Sequence, residues 1–300
     1  MLISVCIPVH NYNVVPLAQS IADEIEGSDI DAELICVDDG SSDEWLERNK
    51  TLKDIGTYEV IGENIGRAQA RNRFLKYAKG DYLLFLDDDS IIKKGFLGRY
   101  AEVAKEGKYD VAVGGRIYDT RFDDREHHLR YLYGTRIECR NAEERSHEPY
   151  RSFMTNNFMV KRNVLEAMPF DERVKNYGHE DTLFGYNLKN AGVSICHIEN
   201  PVTNGDVEDN EVFLEKSVVA VGTLSDIYDY MNGNEDFCET VRLLRVYKKM
   251  RRMGIEPVVL AAFRMSRKCL EHRFICGRCF SLRHFSFYKL GILIEKRYNK

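Results

Sequence analysis

Short, continuously apolar runs alternate with stretches of helical hydrophobic spacing through the first part of the chain. ISVCIPV, ELICVD, YEVIG, DYLLFLD and DVAVGG read as strands, and none shows the apolar–polar alternation of a half-solvated sheet. Between them, Pro16 to Ile25 sets Leu17, Ile21 and Ile25 on one stripe. GRAQARNRFLKYAKG reads as a helix closed by Gly80, and another helical stretch runs to about Lys105. Strands buried on both faces and separated by helices predict an open, mostly parallel α/β sheet flanked by helices, Rossmann-like in plan.

Beyond that sheet the pattern loosens. Tyr118 to Arg151 is polar and rich in Arg, Glu and His, as expected of a surface excursion or a loop over a site. SFMTNNFMVKR returns to mixed structure, EDTLFGYNLKNAG predicts a helix ending at Gly192, and VSICHIENPV predicts one further strand. EVFLEKSVVAVGTLSDIYDYM predicts a long helix, and NGNED a break after it. The expected organisation is a catalytic domain over residues 1–232 and a basic helical extension over 233–300.

Charge supports that division. Residues 236–300 carry 16 Lys and Arg against 5 Asp and Glu, whereas the preceding residues carry 27 against 43, within a net charge of -5. A basic part set against an acidic one suits contact with an anionic surface. The start, MLISVCIPVHNY, has no basic leader region, and no apolar run approaches the ~20 residues of a membrane-spanning helix. Together with eight scattered cysteines, this points to a cytoplasmic protein with free thiols, with a peripheral position at the inner face of the plasma membrane as an option.

The chemistry concentrates at two strand ends. One strand runs into Asp38-Asp39-Gly40-Ser41-Ser42 and another into Asp87-Asp88-Asp89-Ser90. Open α/β sheets bind ligands beyond the carboxyl ends of their strands. Carboxylates stacked there repel and must be offset by hydrogen-bond donors or by a hard cation such as Mg²⁺ or Mn²⁺, which prefers oxygen ligands shared with phosphate. Either motif alone is equally a turn with a helix cap or a solvated loop; both following apolar strands favour a site. A dinucleotide fold would need glycines in IPVHNYNVVP, which has none, and GxxxxGK[ST] occurs nowhere in the chain.

CIPVHNY, CVDDGSSD, ENIGRAQARN, LFLDDDS and YGHEDTLFGYNL, in this order and spacing, resemble the family 2 glycosyltransferases of GT-A fold over about residues 2 to 225. The resemblance implies an inverting, nucleotide-sugar-dependent enzyme. Pro8 and Val9 would border the base, with Asp39 on a uracil ring. Asn64, Gly66 and Arg71 would line the nucleotide and diphosphate. Asp87 and Asp89 would be the DxD pair, Asp87 near the ribose and Asp89 on a Mn²⁺ or Mg²⁺ ion. Asp88 joins the donor site, since a third aspartate permits a register one residue along. Asp181 would be the base that deprotonates the acceptor hydroxyl, and Glu180 would hold the acceptor. Both acids at a helix start also fit plain charge compensation, and that position favours the anion and lowers its basicity. Where relatives place a histidine metal ligand, this chain has PVTNGDVED, with Asn204 near the position. The third ligand therefore stays open, and His197 reads as packed within its strand.

The resemblance implies a UDP-sugar donor and a saccharide or lipid-linked saccharide acceptor in surface polysaccharide synthesis. A nucleotidyltransferase of similar plan would need a glycine-rich basic loop where HNYNVVP stands, and a non-catalytic binding protein is the remaining alternative. TVRLLRVYKKMRRM predicts a basic amphipathic helix suited either to an anionic membrane or to packing as a helical cap. Cys269, His272, Cys276 and Cys279 have zinc-like spacing, but a basic helical stretch does not converge them, so free thiols are expected. Phe274, Phe280, Phe285 and Phe287 fit apolar packing better than base stacking, and no nucleic acid is expected.

Overall fold

The computed structural model describes residues 1–278 and 281–298. These fall into two compact units, the first formed by Met1–Tyr118, Glu138–Lys175 and Glu180–Asp206, the second by Asp119–Ile137, Asn176–His179 and Val207–Lys300. The longest segment of the second unit starts at Val207, and the expected extension over 233–300 lies within it.

The first unit is built on ten strands: β1 (Ile3–Val9), β2 (Ala32–Asp38), β3 (Thr57–Val60), β4 (Tyr82–Leu86), β5 (Ser90–Ile91), β6 (Val111–Val113), β7 (Arg116–Tyr118), β8 (Asn157–Lys161), β9 (Ile195–His197) and β10 (Val202–Asn204). Seven form one sheet in the order β3-β2-β1-β4-β8-β6-β9, and β5-β10-β7 form a small second sheet. β1 pairs in parallel with both β2 and β4, and β2 with β3, so Val9, Asp38, Val60 and Leu86 end at one edge. β8 runs antiparallel to β4 and β6, and its first residue, Asn157, lies opposite Leu86. The expected helix-flanked, mostly parallel sheet is what forms.

Continuous apolar runs arise because both faces are covered. Ile3, Val5, Ile7 and Val9 of β1 pack with Leu17, Ile21, Phe96 and Tyr100 on one side. Cys6 lies on the opposite side with Ile35, Val37, Phe74, Phe85, Phe158 and Phe184. This is the period-two geometry of a strand with two buried faces.

VSICHIENPV forms two strands rather than one. Pro201 cannot donate to a ladder, and Asn200 pins the corner by donating to the Phe96 carbonyl (3.0 Å) and accepting from Arg99 Nε (2.6 Å). The polar stretch after Tyr118 also holds more structure than a loop: helices His128–Tyr133 and Ala142–Ser146, the latter opened by an Asn141–Glu144 capping box. Buried Arg145 donates to the carbonyls of Val113, Gly114 and Ile198, a second bond for carbonyls that also accept backbone amides, and so ties the end of β6 to the chain after β9.

The second unit is helical: Asn210–Tyr230, Glu235–Thr240, Arg242–Arg252, Glu256–Ile275 and Leu282–Tyr298 follow one another. Asp209 and Asn234 cap the first two by accepting from Val212 and Phe237 amides. Helices Glu256–Ile275 and Leu282–Tyr298 meet where Gly291 faces the Phe263 ring, at a distance that admits no side chain. Phe274 and Phe285 are buried among Phe263, Phe213 and Tyr288, so they are core residues. Phe280 and Cys279 lie outside the described residues. Cys269 is exposed, Cys276 lies 3.7 Å from the His272 ring, and among the described residues no three His, Cys, Asp or Glu gather for a metal. Among those residues no helix is long and apolar enough to cross a membrane.

Candidate active site at the carboxyl edge of the sheet

The strand order reverses about β1, which has β2 on one side and β4 on the other, and ligand crevices of open α/β sheets form at that reversal. Pro8 and Val9 close β1 there, and the Asp39 amide donates to the Val9 carbonyl (2.8 Å). The two adjacent aspartates at the end of β2 divide their work. Asp38 is fully buried, accepting from the Ser41 amide (2.8 Å) and the Tyr58 hydroxyl (3.1 Å), and it shapes the turn. Burial and the Asp38 charge together push the Tyr58 phenol well up.

Asp39 accepts from two consecutive amides, Ile65 (2.8 Å) and Gly66 (3.2 Å). The loop carrying Asn64 and Gly66 is thereby fastened to the end of β2. Gly40 has φ +73°, and a side chain there would sit 2.4 Å from the Asn64 nitrogen, so this approach requires glycine. Gly66, at φ +87°, opens the helix Arg67–Tyr77, and the Asn64 side chain accepts from its amide (3.1 Å).

The three aspartates after β4 find three different partners. Asp87 accepts from Arg71 Nη2 (3.2 Å), whose other terminal nitrogen donates to Glu180 at the same distance. Arg71 is almost wholly buried, so it clamps carboxylates from within. Asp88 accepts from the His10 amide (3.2 Å). Burial first, and the Asp87 charge second, push its carboxyl up to about 6. Asp89 accepts from the Asn204 side-chain amide (2.9 Å), brought alongside because β10 pairs with β5.

Residues beyond the predicted set complete the arrangement. The His10 ring donates through Nδ1 to the Asp39 carbonyl (2.8 Å) while its backbone holds Asp88, tying the two acidic strand ends together. His10 sits two residues after Pro8, in the HNY of a motif singled out for the proline and valine alone. Asn156 lies beside Asp87, whose amide donates to its carbonyl (3.1 Å), and neither polar atom of its buried side chain has a partner. Asn157, next along, is fully engaged by Tyr100, Gly115 and Asn200. His197 is buried in β9, bonded to the Pro149 carbonyl (2.9 Å), and burial lowers its ring to about 4. It is a packed strand residue, as its place in the sequence indicates.

Glu180 and Asp181 open the helix Glu180–Asn190. A helix start alone would favour the Asp181 anion, and the Thr182 amide does donate to it (2.6 Å). Burial outweighs this, with the Glu180 charge adding to it, and the Asp181 carboxyl is raised to about 7. That is the range a general base at neutral pH needs.

No three His, Cys, Asp or Glu side chains among the described residues form a metal cage at this edge. The donor set nevertheless suits a hard cation. Asn204 Oδ1 is buried without a hydrogen-bond partner beside Asp89, an oxygen left over where an oxygen ligand would be used.

The chain is similar to several known proteins. Residues 4–168 match the model for glycosyl transferase family 2. An uncharacterized glycosyltransferase, YfnE, of Bacillus subtilis is 27% identical over 69% of this chain and 67% of its own length. A poly(ribitol-phosphate) beta-glucosyltransferase of Bacillus spizizenii is 36% identical over 38% of this chain, which spans only 19% of that protein. Among solved structures, a mannosyltransferase from Pyrobaculum calidifontis, in complex with GDP-Man and Mn²⁺, superposes with a TM-score of 0.55 at 13% identity, covering 99% of this chain and 86% of that one. Glucosyl-3-phosphoglycerate synthase from Mycobacterium tuberculosis, in complex with Mn²⁺, UDP and glucosyl-3-phosphoglycerate, does so with 0.51 at 19% identity, covering 76% and 79%. With more than half its length matched by the family model and a GT-A sheet bearing its acidic strand ends at one edge, the chain belongs to glycosyl transferase family 2.

Proposed function

We propose that this protein transfers a sugar, with inversion, from a UDP-sugar to a hydroxyl of a glycan or lipid-linked saccharide in surface polysaccharide synthesis. The observation that carries the reading is a polar seam along the sheet edge: Asp39 joined through His10 to Asp88, and Asp87 joined through Arg71 to Glu180, beside Asp181. Relatives named for poly(ribitol-phosphate) glucosyl and N-acetylglucosaminyl transfer support an envelope polymer as acceptor.

In this reading Pro8, Val9 and Asp39 border the base, and Asn64 and Gly66 line the diphosphate. Asp87 faces the ribose and, with Asp89 and the Asn204 amide oxygen, would hold a Mn²⁺ or Mg²⁺ ion. Such an ion supplies charge stabilisation for the departing diphosphate. Asp88 completes the donor pocket. Arg71 acts from behind, fixing Asp87 and Glu180 relative to each other. Glu180 holds the acceptor, and its charge raises the neighbouring Asp181. The acceptor oxygen attacks the anomeric carbon, its proton passes to Asp181, and the bond to the diphosphate breaks with its electron pair leaving on the phosphate oxygen.

A panel of UDP- and GDP-sugars with Mn²⁺, followed by calorimetry and by transfer to saccharide acceptors, tests this. A UDP-sugar should bind, Asp89→Ala should weaken metal-dependent binding by roughly 100-fold, and Asp181→Asn should keep binding while turnover falls ~10²–10⁴-fold. Wild-type turnover should fall as pH drops through about 7, where Asp181 takes up a proton. No bound sugar nucleotide, with Asp89→Ala indistinguishable from wild type, sinks the proposal.

A further inference from the structure

The helical unit buries one side of its basic segment and leaves the other bare. In the helix Arg242–Arg252, Leu244 and Tyr247 face the interior, while Arg242, Arg245, Lys249 and Arg252 are exposed at spacings of three, four and three. The next helix, Glu256–Ile275, buries Leu260, Phe263, Leu270 and Phe274. Its opposite face carries Val258, Ala262, Met265, Cys269 and His272, all exposed, at spacings of four, three, four and three. Met265 is 89% exposed and Val258 70%, and the turn joining the helices adds Met253 at 53% and Ile255 at 36%. Large apolar side chains this bare, in line on one helix face, are a contact surface rather than scattered surface residues.

What surrounds the stripe identifies its counterpart. Residues 242–278 hold 11 Lys and Arg against 2 Asp and Glu. Arg264 and Lys268 flank the stripe on one side and Arg273 on the other, and Lys249, Arg251 and Arg252 lead into the turn. A face made for a second copy of this chain would set these cations against one another. An anionic lipid surface accepts both parts at once: headgroups take the cations, and the acyl boundary takes methionine, valine and isoleucine.

We infer that the turn 253–255 and the outer face of the helix Glu256–Ile275 dock this protein on an anionic membrane surface. The surface is made by residues outside the candidate active site, so the inference stands or falls separately from the sugar-transfer reading. It would bring the protein to where a lipid-linked acceptor resides.

Co-sedimentation of the full chain with vesicles tests it, comparing phosphatidylcholine alone with phosphatidylcholine containing phosphatidylglycerol. Binding should require the anionic lipid and fall with added salt. Lys249→Glu with Arg252→Glu, and separately Val258→Ser with Met265→Ser, should each weaken partitioning by at least about tenfold. All four positions are exposed, so circular dichroism melts should match wild type. Equal binding to neutral vesicles, or unchanged binding by both pairs, overturns the inference. So does an oligomer, seen by sedimentation velocity without lipid, that Val258→Ser with Met265→Ser dissolves, since the face then belongs to another copy.

Discussion

The two acidic strand ends look alike in sequence and are built on different principles. After β2, Asp38 and Asp39 are held mainly by main-chain amides: Ser41 for the first, Ile65 and Gly66 for the second. After β4, two of the three aspartates depend on side chains, Asp87 on Arg71 and Asp89 on Asn204, and Asp88 accepts from the His10 amide. A carboxylate held by backbone is fixed once the fold forms. Asp88, in the more crowded acidic site, has its carboxyl raised by burial first and by the neighbouring Asp87 charge second. The first end is a rigid wall, and the second is a charged cluster whose repulsion a cation would relieve.

Removing the shared counter-ion would break the comparison most severely. Arg71→Met leaves Asp87 and Glu180 facing each other without their cation, and stability should fall by about 3–5 kcal/mol in urea denaturation. A melt within error of wild type would show that the second end needs no internal partner. The rigid end is next. Asp38→Ala strands the Tyr58 hydroxyl and the Ser41 amide and should cost about 2–3 kcal/mol, with no dependence on added Mn²⁺. The smallest effect has the opposite sign. The Asp88 carboxyl is raised in the folded state from 3.8 to about 6, so between those values the folded protein binds more protons than the unfolded one. Its contribution to stability therefore falls as pH rises through that window. Asp88→Asn should stabilise the metal-free protein by ~1 kcal/mol at pH 8 and by nothing measurable near pH 4, read from paired denaturation curves.

Much of the layout was legible because it rests on local patterns. Apolar runs marked six of the seven strands of the main sheet, β8 lying in a stretch that reads only as mixed structure, and the acids that follow two of them marked its edge. The fault lines lie where contacts skip far along the chain. VSICHIENPV has the apolar character of one strand, and Asn200, bonded to Phe96 and Arg99 just before Pro201, fixes the corner in it. The different partners of Asp38 and Asp39 depend on Tyr58 and on the loop at Ile65, neither of which the DDGSS motif contains. His10 escaped for the same reason, meeting Asp88 across 78 residues, and Asn204, noted near the position of a third ligand, finds its partner Asp89 across 115. The basic tail left two readings open, and the fold shows one face packed and one bare: buried aromatics hold the helices together while Val258 and Met265 are exposed.

Sequence alone determined the alternation of strand and helix, the order of the motifs and the acidity of two strand ends, since each is written in neighbouring residues. Tertiary structure alone decided the direction in which the Asp181 carboxyl shifts. A helix start lowers a carboxyl and burial beside Glu180 raises it, and which effect wins depends on how much water the folded chain leaves around that one side chain.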